Sequence, residues 1–503
     1  MEDRKIDIQP VKRRSYFYYG LIFLLAMGLS GLTANFVLER FPNSSDEYAY
    51  LFQAETYKAG RFWNPVHPKQ DFFYIVHVIE KEGKWYGAYG PGWPLVLCLG
   101  MLLKIPAWLI NPFLAGLYLL FLFKFTERSY NTKTASGVVL SLLFCPFFIF
   151  NAASYFSHIL CVLEILLGVY FFGLFLETKK AIHIGSGSFF FALGMLTRSY
   201  TTFWCLLPVI IFWIKEQKRQ VVRSMGWIFF GALPIAVIWS ICNFKITGNP
   251  FIDVTISSAG YTQSIQFLAG YHFKDMAASL KEHVFQLTKW TSPGLVCIYA
   301  FSFIRNVQSK KYCVFDFIFP SVVLGFFLFP LDAGTEYGPR YYYEAYPFLV
   351  LSAAGSLFGN RMEFQGRHTR EIFQADKKFA VGLVFTAAWD FWLHLVRRGK
   401  IFYIPRPLTY YRLHRSAYTL QCSRYPREFK RQLRVVFRKH YAALIASHWR
   451  RKKTYKESSL LFNRLECLFS ISIPWVRNSI RRNFFSSIKI FYLFEARWLG
   501  HVC

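Results

Sequence analysis

Acidic residues are scarce. Only 29 Asp and Glu stand against 59 Lys and Arg, a formal net charge of +30. No C-x-x-C spacing and no His/Cys cluster occurs, which indicates neither a structural zinc site nor a disulfide framework. Several of the 10 cysteines instead sit inside apolar runs, as Cys98, Cys145, Cys161, Cys205 and Cys242 do. There is no internal repeat and no long low-complexity segment. No small-residue cleavage site follows Met1–Arg14, so residues 15–35 read as a retained signal anchor.

Apolar residues are what the chain has in excess. The sequence is 54% hydrophobic and 20% aromatic, with 56 Phe, more than a soluble domain buries. Runs of roughly 17–25 apolar residues cross a bilayer. Candidate spans lie near 15–35, 108–124, 134–152, 155–177, 183–201, 202–215, 225–243, 291–305, 313–330 and 344–358. The predicted fold is therefore an all-α multi-pass membrane protein. Lys12, Arg13 and Arg14 place the N-terminus in the cytoplasm, and alternation puts the basic loops 124–133, 178–182, 215–223 and 305–311 on that same side. The parity requires that Pro91–Leu103 does not cross. It is short and opens with Gly and Pro, as expected of a re-entrant or surface helix on the outer face. Basic loops of this kind set membrane orientation, and no nucleic-acid partner is expected.

Two loops should then face outward, 36–107 and 244–290. The first begins FPNSSDEYAYLFQAE and puts Asp46 and Glu47 at the membrane surface. Tyr48, Leu51, Ala54 and Tyr57 recur at helical spacing, predicting an amphipathic helix along the interface. The acidic pair has a purely structural explanation, with Asn43, Ser44 or Ser45 as N-cap and both acids favoured by the helix dipole. Further along, Phe73–Ile79 and Lys84–Tyr86 predict a hairpin turning over Glu80–Gly83. The second loop has one amphipathic segment near 275–287.

Charges at the edges of apolar spans are costly, so their positions carry information; an Arg near mid-bilayer costs roughly 2.5–3.5 kcal/mol. His158 falls about two turns into its span from the outer end, Arg198 (GMLTRSY) near an outer end, and Arg340 (EYGPRYYYEAYP) where the last span begins. With Asp46 and Glu47 they converge on one side of the membrane. Taken singly, each arginine also reads as a snorkelling helix-end charge, and His158 as an interhelical hydrogen bonder. Glu164 lies deeper, at a helical angle that turns it away from His158.

The stretches DEYAYLFQAE, GKWYGAYGPGWPLVL, LTRSY and GPRYYYEAYPFLVL resemble the GT-C fold glycosyltransferases that use polyprenyl-phosphate sugars, a group including protein O-mannosyltransferases and lipid A aminoarabinose transferases. The similarity covers about residues 15–358. It implies that Asp46 is the catalytic carboxylate acting as base, with Glu47 the acid beside it. Many members place a second acid where this chain has His158. The expected donor is a polyprenyl-phosphate-linked sugar and the acceptor a glycan, lipid or protein. A sugar on a lipid phosphate carries its leaving group already, so the chemistry needs a phosphate clamp and a base for the acceptor. Arg198 and Arg340 suit the first task because a guanidinium binds phosphate bidentately. Lys84, Tyr86, Trp93, Tyr341 and Tyr342 are the expected donor and acceptor contacts. No cofactor is assigned, and a divalent cation is compatible with the acidic pair.

From about Arg361 the long apolar runs stop and basic residues far outnumber acids, predicting a cytoplasmic tail over 359–503. Within it, Ala387–His414 resembles the C-terminal edge of a family-2, GT-A fold glycosyltransferase domain. The acids that family requires are Ala387 and Ala388 here, and its Asp-x-Asp half is absent, so the fragment (about 380–420) reads as inert. Two other classes compete with a membrane transferase. A transporter predicts inverted repeats and helices broken at mid-membrane, whereas the charges here gather at one face. A non-catalytic scaffold predicts binding of lipid-linked sugar, or of a partner glycosyltransferase, without turnover.

Overall fold

The computed structural model describes residues 13–67, 77–216, 221–254, 273–310, 312–328 and 336–358. The chain divides into two units, Met1–Phe402 and Tyr403–Cys503, and every described residue belongs to the first. The expectations for the basic tail, and for Phe73–Val76 of the hairpin, lie outside the described residues.

Thirteen helices follow one another among the described residues: α1 (Arg13–Leu32, continued by a π-turn Thr33–Val37), α2 (Ser45–Lys58), α3 (Gly92–Leu102), α4 (Ala107–Ser129), α5 (Thr132–Leu143), α6 (Pro146–Ala153), α7 (His158–Thr178), α8 (Ala181–Glu216), α9 (Val221–Thr247), α10 (Phe273–Trp290), α11 (Pro293–Gln308), α12 (Val314–Leu328) and α13 (Tyr346–Phe358). Five are long and apolar enough to cross a membrane, six if the pair α5–α6, bent by 64°, counts as one span. The chain is a multi-pass helical membrane protein. At 11 residues α3 is too short to cross, in keeping with its Gly- and Pro-rich start.

Helix α8 contains two runs of opposite direction. Arg198 has non-helical dihedrals (φ −149°, ψ 80°). A Cβ built on Gly194 would lie 3.0 Å from the Thr202 side chain, whereas residues eight apart on a straight helix are about 12 Å apart. Before the break the chain runs back along α7, where Thr197 Oγ1 donates to Glu164 Oε1 (3.2 Å). After it the chain runs back along α12: Tyr200 OH donates to Gly325 O, Ser321 Oγ to Trp204 O and Lys215 Nζ to Tyr312 OH. The spans expected at 183–201 and 202–215 are thus the two arms of this hairpin, with Arg198 at its tip. The opposite end of the bundle carries the ion pair Arg128–Glu177 (2.5 Å) and the Lys215–Tyr312 contact.

Between α1 and α4 the chain builds a small cap. Three short strands, β1 (Asn64–Pro65), β2 (Val78–Lys81) and β3 (Lys84–Gly87), pair antiparallel in the order β1-β3-β2. The turn is tighter than the expected Glu80–Gly83. Glu80 and Lys81 pair with Trp85 and Lys84, and only Glu82 and Gly83 turn, both at positive φ (53° and 72°). Two left-handed residues match the right-handed twist of the flanking strands. Helix α2 also departs from expectation. Its buried face is Glu47, Ala49, Tyr50, Gln53, Ala54 and Thr56, so of the expected Tyr48–Leu51–Ala54–Tyr57 stripe only Ala54 is fully buried and the other three are half-buried. The polar members are hydrogen-bonded: Gln53 accepts from Gly87 N (2.7 Å) and donates to Phe62 O (2.9 Å), while Asn64 donates to Thr56 Oγ1 (2.6 Å). Buried polar groups are tolerated when they are paired in this way, and α2 packs under the sheet and on α3.

Candidate functional site

The two acids at the start of α2 have separate tasks. Ser44 is the N-cap, accepting from Glu47 N (3.3 Å), and Glu47 Oε2 returns to Ser44 N (2.9 Å) and Asn43 N (2.6 Å), a closed capping box. Glu47 Oε1 accepts from Tyr155 N (2.8 Å), tying α2 to the α6–α7 junction. Burial pushes the Glu47 carboxyl up to about 7, against the pull of these backbone N–H groups. Glu47 is a fully buried anchor. The structural explanation of the pair belongs to it and leaves Asp46 unexplained.

Asp46 faces three donors. Tyr89 OH donates to Oδ1 (2.5 Å), His77 Nε2 lies 2.9 Å from the same oxygen, and Arg340 Nη1 is 2.6 Å from Oδ2. Burial opposes ionisation of Asp46. The hydrogen bonds of His77 and Tyr89 and the charge of Arg340 outweigh it, holding the carboxyl well below the usual carboxylate range. The sheet supplies two of the donors. Its last pair, Val78 with Gly87, is extended by Ala88 N donating to His77 O (2.9 Å), which sets His77 beside the approach to Tyr89. Arg340 is buried, reaches Glu336 on its other side (3.1 Å), and lies 4.3 Å over the Phe156 ring.

A second cluster sits on the same end of the bundle. Glu344, fully buried, accepts or shares a proton with His158 Nδ1 (2.8 Å), and Arg198 Nε lies 3.0 Å from the same Glu344 oxygen without hydrogen-bond alignment. Arg198 Nη1 donates to Ser157 Oγ (3.3 Å), which is 3.3 Å from Tyr50 OH. His158 is the first residue of α7 rather than two turns into its span, because Ser154–Ser157 form an irregular link. Glu164 pairs with Thr197 and takes no part in this cluster. The clusters are joined through one short segment, Arg340–Tyr342 in a 3₁₀ turn leading to Glu344, so the residue that holds Asp46 and the one that holds Arg198 stand four apart.

Of the residues expected from sequence, Asp46, Glu47, His158, Arg198 and Arg340 therefore gather at one end. The other five are placed differently. Lys84 Nζ donates to Ile246 O (2.8 Å), capping the last turn of α9, where a cation is favoured by the helix dipole. Tyr86 packs in a separate cluster with Ile246 and Val254. Trp93 is fully buried and donates from Nε1 to Tyr155 O (2.7 Å), bracing the loop that holds Glu47. Tyr341 stacks on Phe326 (4.8 Å, 9°) and also lies 5.9 Å from the Arg340 guanidinium, at the edge of the gathered residues, and Tyr342 packs on His283 and Phe319 in the core. Sequence reasoning missed His77, Tyr89 and Glu344. Glu344 was signalled by its place four residues after Arg340, and the other two by the hairpin whose base they flank.

Glycines let these parts meet. A Cβ on Gly92 would fall 2.9 Å from Leu196 C and 2.6 Å from Thr197 Oγ1, and one on Gly90 2.7 Å from Leu196 O. The Gly-Pro-Gly sequence thus allows the start of α3 to press against the backbone just before Arg198. Among the described residues no group of three or more His, Cys, Asp or Glu is placed to hold a metal ion. A groove lined by Tyr48, Leu51, Phe52, Glu55, Thr56, Arg61 and Asn64 runs along α2 without reaching Asp46.

The chain matches no protein-family model and no curated protein. Among solved structures it is similar to ArnT from Cupriavidus metallidurans bound to undecaprenyl phosphate, at 12% identity and a TM-score of 0.44, over 68% of this chain and 60% of that one. It is also similar to arabinosyltransferase EmbB from Mycobacterium smegmatis, at 14% identity and a TM-score of 0.40, over 80% of this chain and 41% of that one. The chain spans less than two thirds of the length of either neighbour.

Proposed function

We propose that this protein is an integral membrane glycosyltransferase that moves a sugar from a polyprenyl-phosphate carrier to a hydroxyl of a glycan, lipid or protein acceptor. One observation carries the reading. Two guanidinium groups from distant segments, the partly exposed Arg198 and the buried Arg340, share one end of the bundle with an ionised carboxylate and two histidines, and Arg340 Nε has no hydrogen-bond acceptor among the described residues. A buried donor of this kind is rare and calls for a partner, and a phosphate with several acceptor oxygens suits a pair of guanidinium groups. The motif resemblance over residues 15–358 supports the same reading.

In this reaction the acceptor oxygen attacks the anomeric carbon, the bond from that carbon to the phosphate oxygen breaks, and the polyprenyl phosphate leaves with both electrons. Arg198 and Arg340 bind that phosphate and stabilise the charge it gains. Asp46 marks the acceptor side. The Asp46 end faces the periplasm or its equivalent, with both termini in the cytoplasm of a bacterial cell and the enzyme in its inner membrane. Purified chain in lipid, supplied with a panel of labelled polyprenyl-phosphate sugars, is expected to transfer or hydrolyse one of them. Binding of the donors without turnover of any would favour the scaffold reading, and neither binding nor turnover would remove the transferase.

A further inference from the structure

Resting on that reading, we infer that His77, and not Asp46, takes the proton from the acceptor hydroxyl, and that Asp46 acts on it as a positioning residue. The Asp46 carboxylate already engages three donors, from Tyr89, His77 and Arg340. Each occupied lone pair makes it a weaker proton acceptor, and the group is held ionised rather than poised to titrate. Access points the same way. The Asp46 side chain is 14% exposed and the His77 side chain 37%, so a large acceptor arriving from outside the bundle reaches the imidazole first.

The geometry also fixes the imidazole. Nε2 faces Asp46 Oδ1 at 2.9 Å, so the tautomer that uses this contact carries its hydrogen on Nε2 and leaves Nδ1 with a lone pair. Among the described residues Nδ1 has no hydrogen-bond partner. The ring packs 5.2 Å from that of Tyr89, and the backbone is pinned by Ala88 N. Among the described residues the ionisable groups facing His77 are Asp46 and Tyr89 from the cap and, beyond Asp46, Arg340 from the segment before α13; Glu47 turns away toward Tyr155. On attack, the hydroxyl proton moves to His77 Nδ1, the acceptor oxygen bonds to the anomeric carbon, and the phosphate departs with the electron pair. The imidazolium formed is stabilised by Asp46 through Nε2–H. It loses its proton to water once the glycosylated product has left.

The test uses full-length protein in lipid nanodiscs, with the labelled polyprenyl-phosphate sugar that the wild type turns over fastest. His77→Gln and His77→Ala are expected to lower kcat by roughly 10²–10⁴ while binding of undecaprenyl monophosphate stays within about threefold of wild type. Added imidazole should restore turnover of His77→Ala by about tenfold or more, a rescue that a merely structural histidine does not give. Turnover of His77→Gln within about threefold of wild type overturns the inference. So does a loss in His77→Ala that imidazole leaves unchanged and that is matched by lost undecaprenyl monophosphate binding. A wild type inert toward every donor overturns the transferase reading and this inference with it.

Discussion

Arg340 Nη1 lies 2.6 Å from Asp46 Oδ2, a buried ion pair joining the start of α2 to the approach of the last described helix. The arginine proposed to bind the donor phosphate is therefore already holding a carboxylate. With Glu336 at 3.1 Å it has two anionic neighbours and, among the described residues, an Nε without a hydrogen-bond acceptor. A donor phosphate on the proposed site would add to an occupied cation rather than to a free one.

Arg198→Ala and Arg340→Ala are expected to weaken donor use, since each removes charge-assisted contacts worth roughly 1.5–3 kcal/mol. Lysine should rescue only in part because it lacks the planar fork. The two differ in their side effects: Arg340→Ala frees Asp46, while Arg198→Ala leaves Glu344 with His158 alone. Donor affinity and turnover measured on the four variants check this. Normal donor dependence in both alanine variants would reduce the arginines to structural charges.

Asp46→Asn keeps shape but removes the charge opposite Arg340 and leaves one acceptor oxygen, with an NH2 donor in place of the other, to serve Arg340, Tyr89 and His77. Turnover should fall by roughly 10²–10⁴. Because Ser44 and Glu47 carry out the capping, helix α2 should remain intact. The melting temperature should still drop, by the equivalent of about 1–3 kcal/mol, as Arg340 loses its closer partner. A variant with full turnover would show that Asp46 only balances Arg340.

Glu47 gives the stability a pH dependence of defined sign. Its folded pKa, about 7, lies above the ordinary value of 4.5, so the neutral form favours folding. That contribution is complete below about pH 4.5 and is lost as pH rises through about 7, on the order of 2–3 kcal/mol in all. Glu47→Ala should have a lower melting temperature at every pH and a flatter decline between about pH 5 and pH 8. Parallel slopes for wild type and variant would assign the pH dependence to other groups.

Gly92→Ala places a methyl group against Leu196 and Thr197, both one or two residues from Arg198. Backbone cannot move aside as a side-chain end can, so the hairpin tip must shift. Donor affinity is expected to fall by about tenfold or more, because misplacing a clamp by about 1 Å is costly. Gly20→Ala, where the added Cβ meets nothing within 4 Å, should leave it unchanged.

Ten spans were expected and, among the described residues, five helices, six with the bent pair α5–α6, are long and apolar enough to cross a membrane; those were legible in the sequence because apolar runs leave little alternative in a membrane. The convergence of Arg198, Arg340, His158 and Asp46 was legible for a related reason: charge at a span edge is costly and must find a partner. What escaped is equally physical. Half of the buried face of α2 is polar, with Glu47, Gln53 and Thr56 all hydrogen-bonded, so a stripe drawn through apolar residues catches only Ala54 of it. His77 and Tyr89 meet only through a strand register, and a turn two residues too long in the reading hid that neighbourhood. Glu344 stands in a run of tyrosines whose aromatic rings draw attention to packing, while its own partners come from α7 and the tip of α8.

Arg340 and Glu344 share one tightly turned segment, held by Tyr343 N to Arg340 O and Tyr346 N to Tyr343 O. The segment carries a positive charge at one end, on Asp46, and a negative one at the other, on Arg198 and His158. The spacing of four residues between 340 and 344 is therefore what lets both clusters form from one turn. A single residue inserted between those positions would turn one end by about 120° and separate the two clusters without removing a single charge.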